Sequence, residues 1–118
     1  MSFERLCFAH AAQIRRALRL DSIATKTYSL FTEKAQMDMV IERADGIVNL
    51  CEMKYTQQQY ALDKAEAEKV TRRMDSLRVL NRKRQNVQCI LVTKQDAKQN
   101  SYFNSMIAKN ITLIDLVK

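Results

Sequence analysis

Residues 37–54, MDMVIERADGIVNLCEMK, decide how the rest of the chain is read. Two runs rich in sheet-favouring side chains, Met37 to Arg43 and Ile47 to Lys54, flank Ala44, Asp45 and Gly46, the composition of a tight hairpin. The turn type fixes which side chains share a face. A three-residue loop with Gly46 left-handed pairs Arg43 with Ile47, and counting inward sets Asp38 opposite Glu52 and Gln36 opposite Lys54. Alternation then puts Asp38, Glu52 and Lys54 on one face of the sheet. A two-residue Asp45-Gly46 turn would instead oppose Asp38 to Met53 and split the three between faces. The three-residue loop is the reading adopted here.

Two carboxylates directly across a strand pair have Cβ atoms about 5 Å apart, and their repulsion weakens a sheet. A divalent cation relieves it. Mg²⁺ prefers oxygen ligands, keeps several waters and suits one or two carboxylates plus a substrate phosphate. Lys54 adds a cation beside them, fit to stabilise a transition state or to position a nucleophile. The pattern thus points to metal-dependent phosphodiester hydrolysis. The alternative is that Asp38 and Glu52 are ordinary carboxylates, each in an ion pair with a neighbouring base.

Around this hairpin the periodicity predicts a sheet flanked by helices. Phe3, Leu6, Cys7, Ile14, Ala17 and Leu18 recur at helical spacing, giving an amphipathic first helix from Phe3 to Leu18. His10 falls on its apolar stripe and reads as a packed, hydrogen-bonded residue. Thr25 to Thr32 reads as the first strand and Leu62 to Arg84 as a long helix with Val70, Met74, Leu77 and Asn81 on one stripe. Val87 to Thr93 is a continuous apolar run, the mark of a central buried strand. A short helix at Ser101 to Lys109 and an edge strand at Ile111 to Ile114 follow. The expected class is α/β, a mixed central sheet with the order αβββαβ plus a short C-terminal helix and edge strand.

With 118 residues the chain fits one domain spanning 1–118, and the absence of proline with a single glycine leaves no candidate linker. A glycine-rich phosphate loop is excluded by the same count, so this chain alone is not an ATPase. Its 20 Lys and Arg against 13 Asp and Glu give a net charge of +7, which favours a polyanionic partner. Cys7, Cys51 and Cys89 are odd in number and sit in apolar runs, as buried free thiols of a reducing, cytoplasmic compartment do. No run reaches the length of a membrane span, and no secretory leader is visible.

The residues above resemble the PD-(D/E)XK nuclease superfamily, in which a helix, a three-strand meander, a helix and a further strand carry an acid and an ExK tripeptide. Here the acid is Asp38 after Met37, without the proline, and the tripeptide is Glu52-Met53-Lys54. A closer resemblance is to the C-terminal nuclease-like domain of certain prokaryotic AAA-type ATPases. FERLCFAHAAQIRRAL (residues 3–18), AQMDMVIERADG (35–46) and IVNLCEMKY (47–55) carry it, across nearly the whole chain. The resemblance implies a restriction-endonuclease-like core, DNA hydrolysis with Mg²⁺ or Mn²⁺, and a fused or associated ATPase. It also implies a carboxylate on the first helix facing the metal, and Glu4 is the matching position. Glu4 lies about 100° from Phe3 and borders the apolar stripe; an acid stabilised by the helix dipole is the equal alternative.

The catalytic set expected is therefore Glu4, Asp38, Glu52 and Lys54, with the three acids at the metal. Arg15 and Arg19, at helical angles close to Glu4, and Arg72, Arg73, Arg82, Lys83 and Arg84 are candidates for phosphate contact. None of Tyr55, Thr56 and Gln57 is assigned a role. No base-reading motif is visible. Two other readings stay open: a homodimeric four-way-junction resolvase, and a non-catalytic module of an ATPase that binds nucleic acid or protein.

Overall fold

The computed structural model describes residues 2–31, 36–81 and 86–117, without the side chains of Glu4 and Phe31. Five strands form one mixed sheet in sequence order: β1 (Thr25–Phe31), β2 (Gln36–Arg43), β3 (Ile47–Lys54), β4 (Asn86–Thr93) and β5 (Ile107–Thr112). The first three run antiparallel as a meander, and β4 and β5 join it in parallel. Two short helices, α1 (Phe3–Ala9) and α2 (Ala11–Ala17), precede the sheet. The parallel crossover from β3 to β4 runs through α3 (Lys64–Leu80), as a parallel pair requires. The crossover from β4 to β5 carries α4 (Ser101–Met106), and α5 (Leu113–Val117) follows β5.

Both faces of the sheet are covered. On one, Met39, Ile41, Cys51, Met53, Ile90 and Val92 pack against Cys7 of α1, Ile14 of α2 and Leu116 of α5. On the other, Val40, Val48, Leu50, Val87 and Cys89 pack against Val70 and Leu77 of α3. Strands buried on both sides read as unbroken apolar runs, which is why β3 and β4 show so little alternation.

The turn between β2 and β3 is the three-residue one. Observed pairs run from Glu42 with Val48 to Met39 with Cys51 and do not reach the expected pair of Asp38 with Glu52: β2 is bulged there, Asp38 and Met39 together opposing Ser29 of β1, so that Met37 joins Val40 on the α3 face. Gly46 takes φ 92°, a conformation other residues avoid, and its N–H donates to the Arg43 carbonyl at 3.1 Å. Arg43 closes the loop by donating from Nε and Nη2 to the two oxygens of Asp45, at 3.0 and 2.6 Å.

Four expected elements differ. The single helix from Phe3 to Leu18 is broken at His10, whose backbone leaves the helical region at φ −110°, ψ 29°. Its N–H is shared between the Leu6 and Cys7 carbonyls, and its ring Nδ1 lies 2.9 Å from the Leu6 oxygen, so the ring carries its proton there and ends the turn. The long helix begins at Lys64 because Asp63 accepts from the Glu66 N–H at 2.8 Å, a side-chain cap. Its expected last turn, with Arg82, Lys83 and Arg84, lies outside the described residues. The helix expected from Ser101 to Lys109 stops at Met106, and the last strand is Ile107–Thr112, not Ile111 to Ile114. Asn110 accounts for that shift: its amide donates to the Leu91 carbonyl at 3.0 Å and its oxygen accepts from the Ala97 N–H at 2.8 Å, pinning β5 beside β4. The Asp115 carboxylate then accepts from the Thr112 N–H and hydroxyl at 2.9 and 3.1 Å, tying the first turn of α5, which starts at Leu113.

Candidate active site

At the end of β3 the even-numbered side chains Glu52 and Lys54 face α3, whereas at the end of β2 it is Met37 that packs on that side. Glu52 is 3% exposed, buried between the sheet and that helix. Arg73, two turns along α3 from Glu66, donates from Nη1 to Glu52 Oε1 at 2.5 Å. Lys54 Nζ donates to Glu66 Oε2 at 3.1 Å. Because α3 runs antiparallel to β3, Lys54 at the strand's end meets the helix's first turn while Glu52 meets its middle. The result is two crossed ion pairs stapling the acid and the base of the strand to one helix.

Electrostatics separate the two acids. Burial pushes the Glu52 carboxyl above its ordinary value; Arg73 and Lys54 pull it back only in part, and the charge of Asp38 raises it further. Burial also raises Glu66, but there the hydrogen bonds and charges of Lys54 and Lys69 outweigh it and hold the carboxyl low. Burial pushes the Cys51 thiol up to about 12 and raises Cys89 too, so neither thiol supplies a nucleophilic thiolate near neutral pH. All three cysteines are free and buried.

Of the expected residues, Glu52 and Lys54 lie on the α3 face, while Asp38, near enough for its charge to act on Glu52, opens toward α1 and not onto the α3 face that strict alternation predicts. Asp38 is half-buried and lines a cavity of about 280 Å³ with Arg5, Phe8 and Gln36. The backbone of Glu4 lies in α1; its side chain is outside the described set. Arg73 reaches the site as the partner of Glu52, whereas Arg72 is exposed on α3. Arg15 sits on the other side of the sheet's first strand, with Nη1 3.4 Å from the Thr27 hydroxyl, and Arg19 closes α2. Glu66 was not among the expected residues. Its signals in the sequence are the cap at Asp63 three residues earlier and the seven-residue spacing to Arg73, which puts both on one helix face. Tyr60 is a second addition: its Oη is buried without a hydrogen-bond partner, and burial followed by the charge of Glu66 raises its pKa.

Among the described residues no three His, Cys, Asp or Glu side chains group as metal ligands. Asp38 and Glu52 nonetheless fit a hard divalent cation. Both are oxygen donors on adjacent strands, the buried Glu52 is stabilised in its charged form by added positive charge, and Arg73 engages only its Oε1. Among the described residues no helix is long and apolar enough to cross a membrane. No protein-family model matches the chain, and neither does any curated protein or any solved structure.

Proposed function

We propose that this chain is a metal-dependent nuclease domain of the PD-(D/E)XK type that hydrolyses DNA phosphodiester bonds. The observation that carries the reading is the nearness of Asp38 and Lys54 to Glu52, both close enough to act on its carboxyl charge, at the neighbouring ends of β2 and β3. The succession of a helical segment, an antiparallel meander, α3 and a parallel β4 supports a restriction-endonuclease-like core. Asp38 and Glu52 would hold Mg²⁺ or Mn²⁺, with Glu4 as the third acid. Such an ion supplies neutralisation of phosphoryl charge and a bound water of lowered pKa. Lys54 would place an ammonium beside the scissile phosphate, and the ion pair with Glu66 fixes the direction of that ammonium. Arg73 holds Glu52 in one rotamer. The three buried free thiols accord with a cytoplasmic setting, and the resemblance of the three sequence blocks supports a fused or associated AAA-type ATPase.

Purified protein should nick supercoiled plasmid only with Mg²⁺ or Mn²⁺ added, and Asp38→Ala or Lys54→Ala should reduce nicking by at least about a hundredfold, as loss of a charge-stabilising group does. Nicking equal in wild type and both variants would sink the assignment. One observation favours a second reading. Glu52 and Lys54 are both already paired to α3, which explains the acid and the base as structural ion pairs of a non-catalytic binding module. Metal-dependent nicking separates the two.

A further inference from the structure

Two stations near the ends of β2 and β3 each combine an aromatic ring with a cation. Past Lys54 the next residue, Tyr55, is 49% exposed, a large ring held in solvent at the end of a strand whose other side chains are mostly buried. Phe3 of α1 braces it, with ring centroids 5.3 Å apart and planes tilted by 46°, and Lys94 Nζ lies 5.6 Å from the Tyr55 ring centre. A cavity of about 410 Å³ opens beside the pair, lined by Phe3, Leu6, Tyr55 and Leu113. At the other end, Asp38 shares its cavity with Phe8 and Arg5. Phe8 is 38% exposed, and the Arg5 guanidinium makes no ion pair among the described residues.

An exposed ring beside a cation is the arrangement on which an unpaired base stacks while its phosphate is neutralised. In a duplex both faces of each base are already stacked, so such rings find nothing to grip. Phe3, which braces Tyr55, and Phe8 are five residues apart on α1, so one helix supports both stations.

We infer that the domain engages its polynucleotide as a single strand, one base stacked on Tyr55 and another in the Phe8 pocket, with the intervening phosphate near Asp38. The position of the phosphate rests on the nuclease reading. The stacking does not, and it is measured without metal so that the two can fail separately.

The test is fluorescence polarisation in EDTA with a labelled oligothymidylate and a blunt duplex of equal length. The single strand should bind at least about tenfold more tightly than the duplex, the size of one stacked base. Tyr55→Ala should weaken single-strand binding about tenfold, Phe8→Ala should weaken it similarly, and Tyr55→Phe, which keeps the ring, should restore it. Tyr102→Ala, on an exposed ring of α4 that lines neither station, should change nothing. Equal affinity for both probes, no binding of either, or an equal loss in Tyr55→Ala and Tyr102→Ala would overturn the inference, whatever the nicking assay shows.

Discussion

Glu52 is the residue on which stability and chemistry pull in opposite directions. Its carboxyl is raised chiefly by burial, so the folded protein prefers it protonated more than the unfolded chain does. The stability this contributes is full below the ordinary value of 4.5 and is lost as pH rises through the higher folded value. Glu66 has the opposite sign, stabilising above 4.5 and ceasing to do so as pH falls through its lowered value. Glu52→Gln keeps an oxygen for Arg73 but removes the buried charge, so at neutral pH its melting temperature should rise above wild type, while nicking is lost. The gain should vanish below about pH 4, where Glu52 is protonated in both states. A Glu52→Gln protein less stable than wild type at pH 7 in thermal scans would mean that the Arg73 pair outweighs desolvation. The three-residue turn was legible in the sequence because Gly46 and the Arg43 and Asp45 pair leave it one good geometry, but the bulge at Asp38 and Met39 was not. The partners of Glu52 and Lys54 were not, since which face α3 lays on the sheet depends on the packing of Val70 and Leu77 and not on local spacing.

Among the elements, the ends of helices were harder to read than their existence. One amphipathic stripe covers both α1 and α2, because the two helices bury the same side against the sheet, so periodicity alone shows no break at His10. The end of α2 carries its own information. Arg19 adopts φ 60°, its N–H donates to Arg16 at 2.9 Å, and the Leu20 N–H reaches back to Arg15 at 2.9 Å, which together form a Schellman cap. That conformation costs an ordinary side chain about 1–2 kcal/mol, partly offset in a glycine variant by the greater freedom of its unfolded chain. Arg19→Gly should therefore stabilise the protein by about 0.5–1 kcal/mol in urea titration; destabilisation would mean that the Arg19 side chain makes contacts worth more than the strain. The same lesson holds for β5, where exposed Ala108 and Lys109 hide an edge strand that Asn110 fixes through contacts distant in sequence.

At the scale of the whole molecule, the central strands were visible as apolar runs and the two-layer covering followed from them. What the fold adds is a division of labour between its faces. The α1, α2 and α5 side carries much of the apolar core, with the Tyr55 and Phe8 stations at its rim, while the α3 side holds the charged groups in ion pairs that keep them ordered. A net charge of +7 gathers polyanions to either side without choosing among them. Choice must then come from Asp38 and Glu52, and the claim that these two acids hold a divalent ion is the one on which the rest depends. Calorimetric titration with Mn²⁺ of wild type and Asp38→Asn tests it most directly. Wild type should bind with measurable heat and Asp38→Asn should not. No binding by wild type even with DNA present, or equal binding by the two, would contradict the account.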